Sequence, residues 1–124
     1  MMYQKAILFK DSKTASVILK TKQPASMRYL GREVRGFDDK IWDQHCRKIV
    51  FRGNMAKFNQ NPDLKEKLLS TEDKMLAEAN PHDLRWGIGL DQADPRAQDS
   101  LQWPGKNWLG KILMKLRDNF KIEK

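Results

Sequence analysis

The chain is short of the residues that would place it in several large functional classes. One cysteine, Cys46, stands among 124 residues, so no disulfide can form within the chain, and a secreted cross-linked scaffold is excluded. The two histidines, His45 and His82, lie far apart. No Cys, His or carboxylate spacing resembles a zinc or calcium site, so neither a metal nor a cofactor is expected. There is no charged leader followed by an apolar run, and no stretch approaches the ~18 apolar residues of a membrane span. With a lone thiol, these gaps point to a soluble, cytoplasmic protein with no membrane partner. Glycine-rich phosphate loops of the Walker or dinucleotide type are also missing, and "WGIG" has only the weak G-x-G pattern. Acidic residues are in deficit, 16 against 24 Lys and Arg, for a formal charge of +8. Such a surplus favours an anionic partner, either a phosphorylated small molecule or nucleic acid.

What is present suits a folded chain. Forty per cent of residues are apolar and 32% charged, a globular balance at a length that fits one domain, residues 1–124. Helical spacing opens the sequence, with Met2, Ala6 and Phe9 on one face and nothing ahead of them to cap the first turn. Asp11 or Ser12 caps a second helix, and Pro24 enters the first turn of a third that Gly31 ends. From Asp38, a broad stripe of Ile41, Trp42, His45, Cys46, Ile49 and Val50 predicts a long core helix, which Gly53 bends or ends. Trp42 and Cys46 on that stripe are expected to be structural. Asn61 caps and Pro62 opens the next helix, which turns Leu64, Leu68 and Leu69 inward. "MLAEA", residues 75–79, is read as a strand. "DQADPRAQDSLQWPG" reads as a mobile loop beside a site. Asn107 caps a last helix with Trp108, Leu109, Ile112, Leu113, Leu116 and Phe120 inside and Lys111, Lys115, Arg117 and Lys121 largely outside. Helices dominate, with room for little sheet.

The stretch "NPHDLRWGIG", residues 80–89, suits neither a helix nor a plain strand. Glycine permits close backbone approach, tryptophan offers a flat apolar face and aspartate can ionise, so these residues could wall a small-molecule pocket. A tight surface turn could use the same set. "LGRE" and "PGKNWLGK" each place a cation beside a glycine, and the second opens a helix whose free N–H groups could face an anion. A plain helix stop and a plain helix start fit them equally well. The lysines of the last helix form an ordinary solvated face, since no aromatic platform accompanies them.

"MYQKAILF", "LGREVRGFDDKIWD", "KFNQNPDLKEKLLST", "AEANPHDLRWGIGL" and "WPGKNWLGKILMKLRDNF" occur in the order found in the NADAR family, and over nearly its whole length the chain resembles these YbiA-like proteins. The resemblance implies a compact, mostly helical α+β domain with little β structure. It also implies an N-glycosidase that cuts a bond between ribose and a nitrogen. The implied substrates are a phosphorylated intermediate of riboflavin synthesis or ADP-ribose on guanine in nucleic acid, both carrying phosphate. By position, Asp83, Trp86 and Glu78 match the family's pocket carboxylates and aromatic residue. Gly87 and Gly89 match its glycines, Lys5 and Arg32 its first-helix lysine and post-glycine arginine, and Asn107 the asparagine before its last helix. Asp83 and Glu78 would stabilise an oxocarbenium-like sugar or activate water, Trp86 would stack, and Lys5 and Arg32 would hold phosphate. In the family a glutamate thought to be catalytic lies just ahead of "MYQKA", so by resemblance residues 1–124 read as an N-terminally shortened NADAR-like domain, and two alternatives stay open. One is a non-catalytic ADP-ribose or nucleotide-binding module, and the other a basic nucleic-acid-binding protein.

Overall fold

The computed structural model describes residues 1–123. Six α-helices run in chain order: α1 (Met2–Leu8), α2 (Ser12–Lys20), α3 (Pro24–Arg32), α4 (Asp39–Gln60), α5 (Pro62–Leu69) and α6 (Trp108–Ile122). Two short 3-10 turns, Pro95–Gln98 and Ser100–Gln102, precede α6. The expected α+β class is therefore wrong: the chain is 63% helical and holds no strand among the described residues. Residues 75–79, expected to form a strand, have no regular partner segment. The chain divides into two compact units, Met1–Gly53 and Asn54–Lys124, with the boundary inside α4. Gly53 does not end α4, since the helix continues to Gln60.

In the first unit α1, α2 and α3 pack on one another around Ala6, Ala15, Ile18 and Val34, with Met2, Phe9 and Met27 against them. Gly31 lies within α3 and does not end it. A side chain there would overlap the thioether of Met2, so its smallness lets α1 sit close to α3. Helix α1 closes with Lys10 in the left-handed region (φ 59°). The N–H groups of Lys10 and Asp11 return to the carbonyls of Ile7 and Ala6, a Schellman pattern with lysine in the place glycine usually takes.

Asp11 then starts α2. Its buried carboxylate accepts the Thr14 N–H (3.1 Å) and hydroxyl (2.6 Å) and, from beyond α3, the Arg35 N–H (3.0 Å). The Arg35 backbone bond, then the two from Thr14, hold its pKa down from 3.8 to about 2. A carboxyl whose folded pKa is depressed contributes stability above its unfolded pKa and loses it as pH falls toward the folded value. The melting temperature is therefore expected to fall as pH drops from 4 to 2, and Asp11→Asn to flatten that dependence in thermal scans followed by circular dichroism. An Asp11→Asn profile parallel to the parent's across this window would show that Asp11 is not the group responsible.

In the second unit, α5 and α6 pack together, burying Leu68, Ile112, Leu116 and Phe120. The Phe58 ring meets Phe120 edge-on at 6.4 Å. Arg117, expected outside, is buried and donates to the Thr71 hydroxyl and the Lys74 carbonyl, both at 2.8 Å. Lys121 reaches the Glu72 carbonyl (2.8 Å) and the Asp73 carboxylate (2.7 Å). Two cations of α6 thus hold the turn after α5, in which Glu72 adopts φ 54°. The segment expected to be a mobile loop is folded by its own aspartates: Asp91, Asp94 and Asp99 each accept the N–H two residues ahead.

Candidate active site

Residues 78–89 form a closed loop rather than a helix or strand. The Glu78 carbonyl accepts from both Asn80 N–H (3.0 Å) and Ile88 N–H (2.9 Å), pinching the loop at its base. Inside it, Asp83 Oδ1 accepts the N–H groups of Arg85 (3.0 Å) and Trp86 (2.8 Å). The aspartate therefore sets the turn that presents the tryptophan.

The entry to α6 locks this loop. Five consecutive N–H groups, from Gly105 to Leu109, donate to the carbonyls of Ile88, Leu84, Gly87, Arg85 and Trp86, at 2.8 to 3.1 Å. The first N–H groups of a helix have no partner within it, and a loop without regular structure leaves its carbonyls unpaired; here each supplies the other. The N–H groups of Trp108 and Leu109 at the start of α6 are consequently taken, which removes the anion-facing role considered for "PGKNWLGK". Glycine makes the close approach possible. A side chain at Gly105 would overlap the backbone of residues 87–89, and one at Gly87 would come within 3.0 Å of the Asp83 and Glu78 carbonyls. Gly89, at φ +77°, sits against Leu84 and Pro104.

Asn107 occupies the N-cap position of α6 but its side chain makes no cap bond. Instead Nδ2 donates to the Leu76 carbonyl (2.9 Å) and Oδ1 accepts the Glu78 N–H (3.0 Å). The buried amide thus gives residues 76–78 the two backbone partners that a neighbouring strand would have given. It does so at φ 54°, a left-handed conformation that asparagine tolerates better than most residues.

The proposed site residues fall into two sets. In the second unit Asp83, Trp86, Gly87, Asn107 and the backbone of Glu78 belong to the single hydrogen-bonded assembly above, and Gly89 packs against Leu84 and Pro104 beside it. Trp86 is half-buried, its ring edge-on to Trp108 at 5.4 Å. Lys106, which carried no assignment, sets its ammonium 5.3 Å from the Trp108 ring centre. Glu78 lines a groove of about 370 Å³ with Phe58, Leu76, Gly110 and Leu113, and neither Asp83 nor Trp86 lines that groove.

In the first unit Lys5 is half-buried, with its ammonium 4.5 Å from the Phe37 ring centre and 5.6 Å from that of Trp42. Burial pushes the Lys5 pKa down, the Asp39 carboxylate opposes this and the nearby Arg32 adds to it. Lys5 and exposed Arg32 are thus close enough to feel each other's charge. Phe37, unremarked in the sequence, is the aromatic wall of this pair and stacks edge-on with Phe9 at 5.3 Å. Trp42 is buried, as expected of the α4 stripe. Among the described residues no group of three or more His, Cys, Asp or Glu is placed to hold a metal ion.

The NADAR domain matches residues 1–121. The chain belongs to the NADAR family. It is 47% identical over 118 residues to N-glycosidase R617 of Acanthamoeba polyphaga mimivirus, covering 95% of this chain and 69% of that protein. It is 30% identical over 122 residues to N-glycosidase YbiA of Escherichia coli strain K12, covering 98% of this chain and 69% of that protein. The riboflavin biosynthesis protein PYRR of Zea mays is 34% identical over 100 residues, covering 77% of this NADAR chain and 14% of the longer plant protein. No helix of the described residues is long and apolar enough to cross a membrane.

Proposed function

We propose that this NADAR chain is an N-glycosyl hydrolase that cuts a ribose-to-nitrogen bond in a phosphorylated riboflavin-pathway intermediate or in ADP-ribose carried on guanine. The observation that carries the reading is the 47% identity, across 95% of the chain, to a protein named as an N-glycosidase. Similarity to the plant riboflavin protein supports the first substrate class, and the net charge of +8 suits the phosphate of either.

Hydrolysis breaks the bond between the sugar's anomeric carbon and the base nitrogen. Water supplies a hydroxyl to the carbon and a proton to the leaving base. The sugar passes through an oxocarbenium-like state, which a nearby carboxylate stabilises or which water, deprotonated by that carboxylate, attacks. We assign this work to Asp83, with Glu78 as the second carboxylate. Trp86, fixed by the Asp83 turn, offers a ring for the base or sugar. Lys5 and Arg32 are assigned to phosphate; Lys5 lies among rings and is partly desolvated, which strengthens its attraction for an anion.

The test incubates the 124-residue chain with a phosphorylated pyrimidine N-riboside and, separately, with duplex DNA bearing ADP-ribosylated guanine. Release of free base or of ADP-ribose supports the assignment and selects the substrate class. Binding of both without turnover would replace it with the non-catalytic binding module. Binding of the duplex alone, equally strong with and without the modification and with no turnover, would leave the basic nucleic-acid-binding reading.

A further inference from the structure

Helix α4 carries a cationic face that the proposed hydrolysis does not use. Between Lys40 and Arg52 the exposed positions include Lys40, Gln44, His45, Lys48 and Arg52. At about 100° per residue, Gln44, His45, Lys48 and Arg52 share one side of the helix, opposite buried Trp42, Cys46 and Val50. Solvated lysines on a helix are commonly balanced by a carboxylate three or four positions away. Lys48 and Arg52 have none: Asp43, the one acid between Lys40 and Arg52, stands three positions from Lys40 but lies about 140° round the helix from Lys48 and about 180° from Arg52. The side chains of Lys40, Lys48 and Arg52 join no ion pair among the described residues. From Lys40 to Arg52 the face extends about 18 Å along a continuous helix.

We infer that this face of α4, centred on Lys48 and Arg52, docks the phosphate backbone of double-stranded nucleic acid without reading its sequence. Uncompensated cations on a rigid rod match a duplex, whose charges recur about every 1.7 Å of axis. Gln44 adds a neutral donor for a phosphate or sugar oxygen. The inference does not depend on the N-glycosidase reading, since neither Lys48 nor Arg52 is assigned to the hydrolytic site.

The experiment measures affinity of the full chain for an unmodified 20-base-pair duplex across a salt series by fluorescence anisotropy. Each lost phosphate contact is expected to reduce the steepness of log K against log salt by about 0.9. Lys48→Gln combined with Arg52→Gln should therefore flatten the slope by about 1.8 and weaken binding at low salt by tenfold or more. A control of equal charge, Lys20→Gln with Lys22→Gln, also exposed, should leave the slope within error of the parent. Circular dichroism checks that both variants keep the parent's helix content. Equal losses in both variants would show that net charge alone attracts the duplex and would overturn the docking face. So would an absence of duplex binding by the parent, or binding to phosphatidylserine vesicles instead that is lost with the Lys48 and Arg52 changes.

Discussion

Asn107→Ala is expected to cost about 2–6 kcal/mol of stability, the loss of partners for two backbone groups at about 1–3 kcal/mol each. The two groups are the Leu76 carbonyl and the Glu78 N–H, bridged by an amide whose residue is only 2% exposed. Alanine would also be held at φ 54°, which adds about 1–2 kcal/mol. Asn107→Gly separates the two contributions, because glycine accepts that backbone freely but restores neither bond. The glycine variant should thus remain severely destabilised in urea titrations, recovering only the backbone share. Stability close to the parent's in Asn107→Gly would assign the residue's importance to its conformation and refute the bridging role. Gly110→Ala is expected to act on the same joint, since a side chain there would overlap the Leu76 carbonyl and the Asn107 amide.

That joint explains which parts of the structure can be read from the sequence. Helix starts at Asp11, Pro24 and Pro62 are legible because capping and proline at the first turn are decided within a few residues. The long α4 is legible from its apolar stripe, of which Trp42, Cys46 and Val50 are buried and Ile41 and His45 exposed, and most of α6 is legible in the same way. Residues 75–79 mislead because a short apolar run shows extended preference but not its partner. Here the partner is a side chain about 30 positions away, so the segment is held straight without joining a sheet. Asn107 and Asn61 look like caps by position, yet each spends its side chain elsewhere, Asn61 on the Lys57 carbonyl at the end of α4. Gly31 has the mark of a helix stop and serves instead as a contact point for Met2.

The proposed site is legible in a similar, divided way. Asp83 and Trp86 are adjacent enough for their turn to be a local matter. The locking of their loop by residues 105–109 is not, because its bonds join backbone groups from which side-chain identity is nearly absent. Only the glycines leave a trace, and Gly105 records the close passage as much as Gly87 does. The pairing of Lys5 with Phe37 has no periodic signal, since a helix and a turn supply one member each.

Asp83→Asn is expected to leave the fold intact and lower turnover by about 10²–10⁴-fold, the usual contribution of a positioned acid or base. The substitution is chosen because asparagine presents the same Oδ1 to the N–H groups of Arg85 and Trp86, so the Trp86 turn survives while the charge is removed. Asp83→Ala loses both the charge and the turn, and should lower the melting temperature as well as the rate. Glu78→Gln is the matching change at the second carboxylate. The bonds that Glu78 makes to Asn80, Ile88 and Asn107 all use its backbone, so glutamine leaves them in place. Its effect on rate is expected to be smaller than that of Asp83→Asn, because Glu78 lines a groove that Trp86 does not. Release of free base from the phosphorylated N-riboside and of ADP-ribose from modified duplex DNA, measured beside the melting temperature, gives each variant a rate and a stability. A parent rate in Asp83→Asn with a lowered rate only in Asp83→Ala would make Asp83 a positioning residue for Trp86. Parent rates in both Asp83→Asn and Glu78→Gln would remove the two carboxylates from the chemistry altogether.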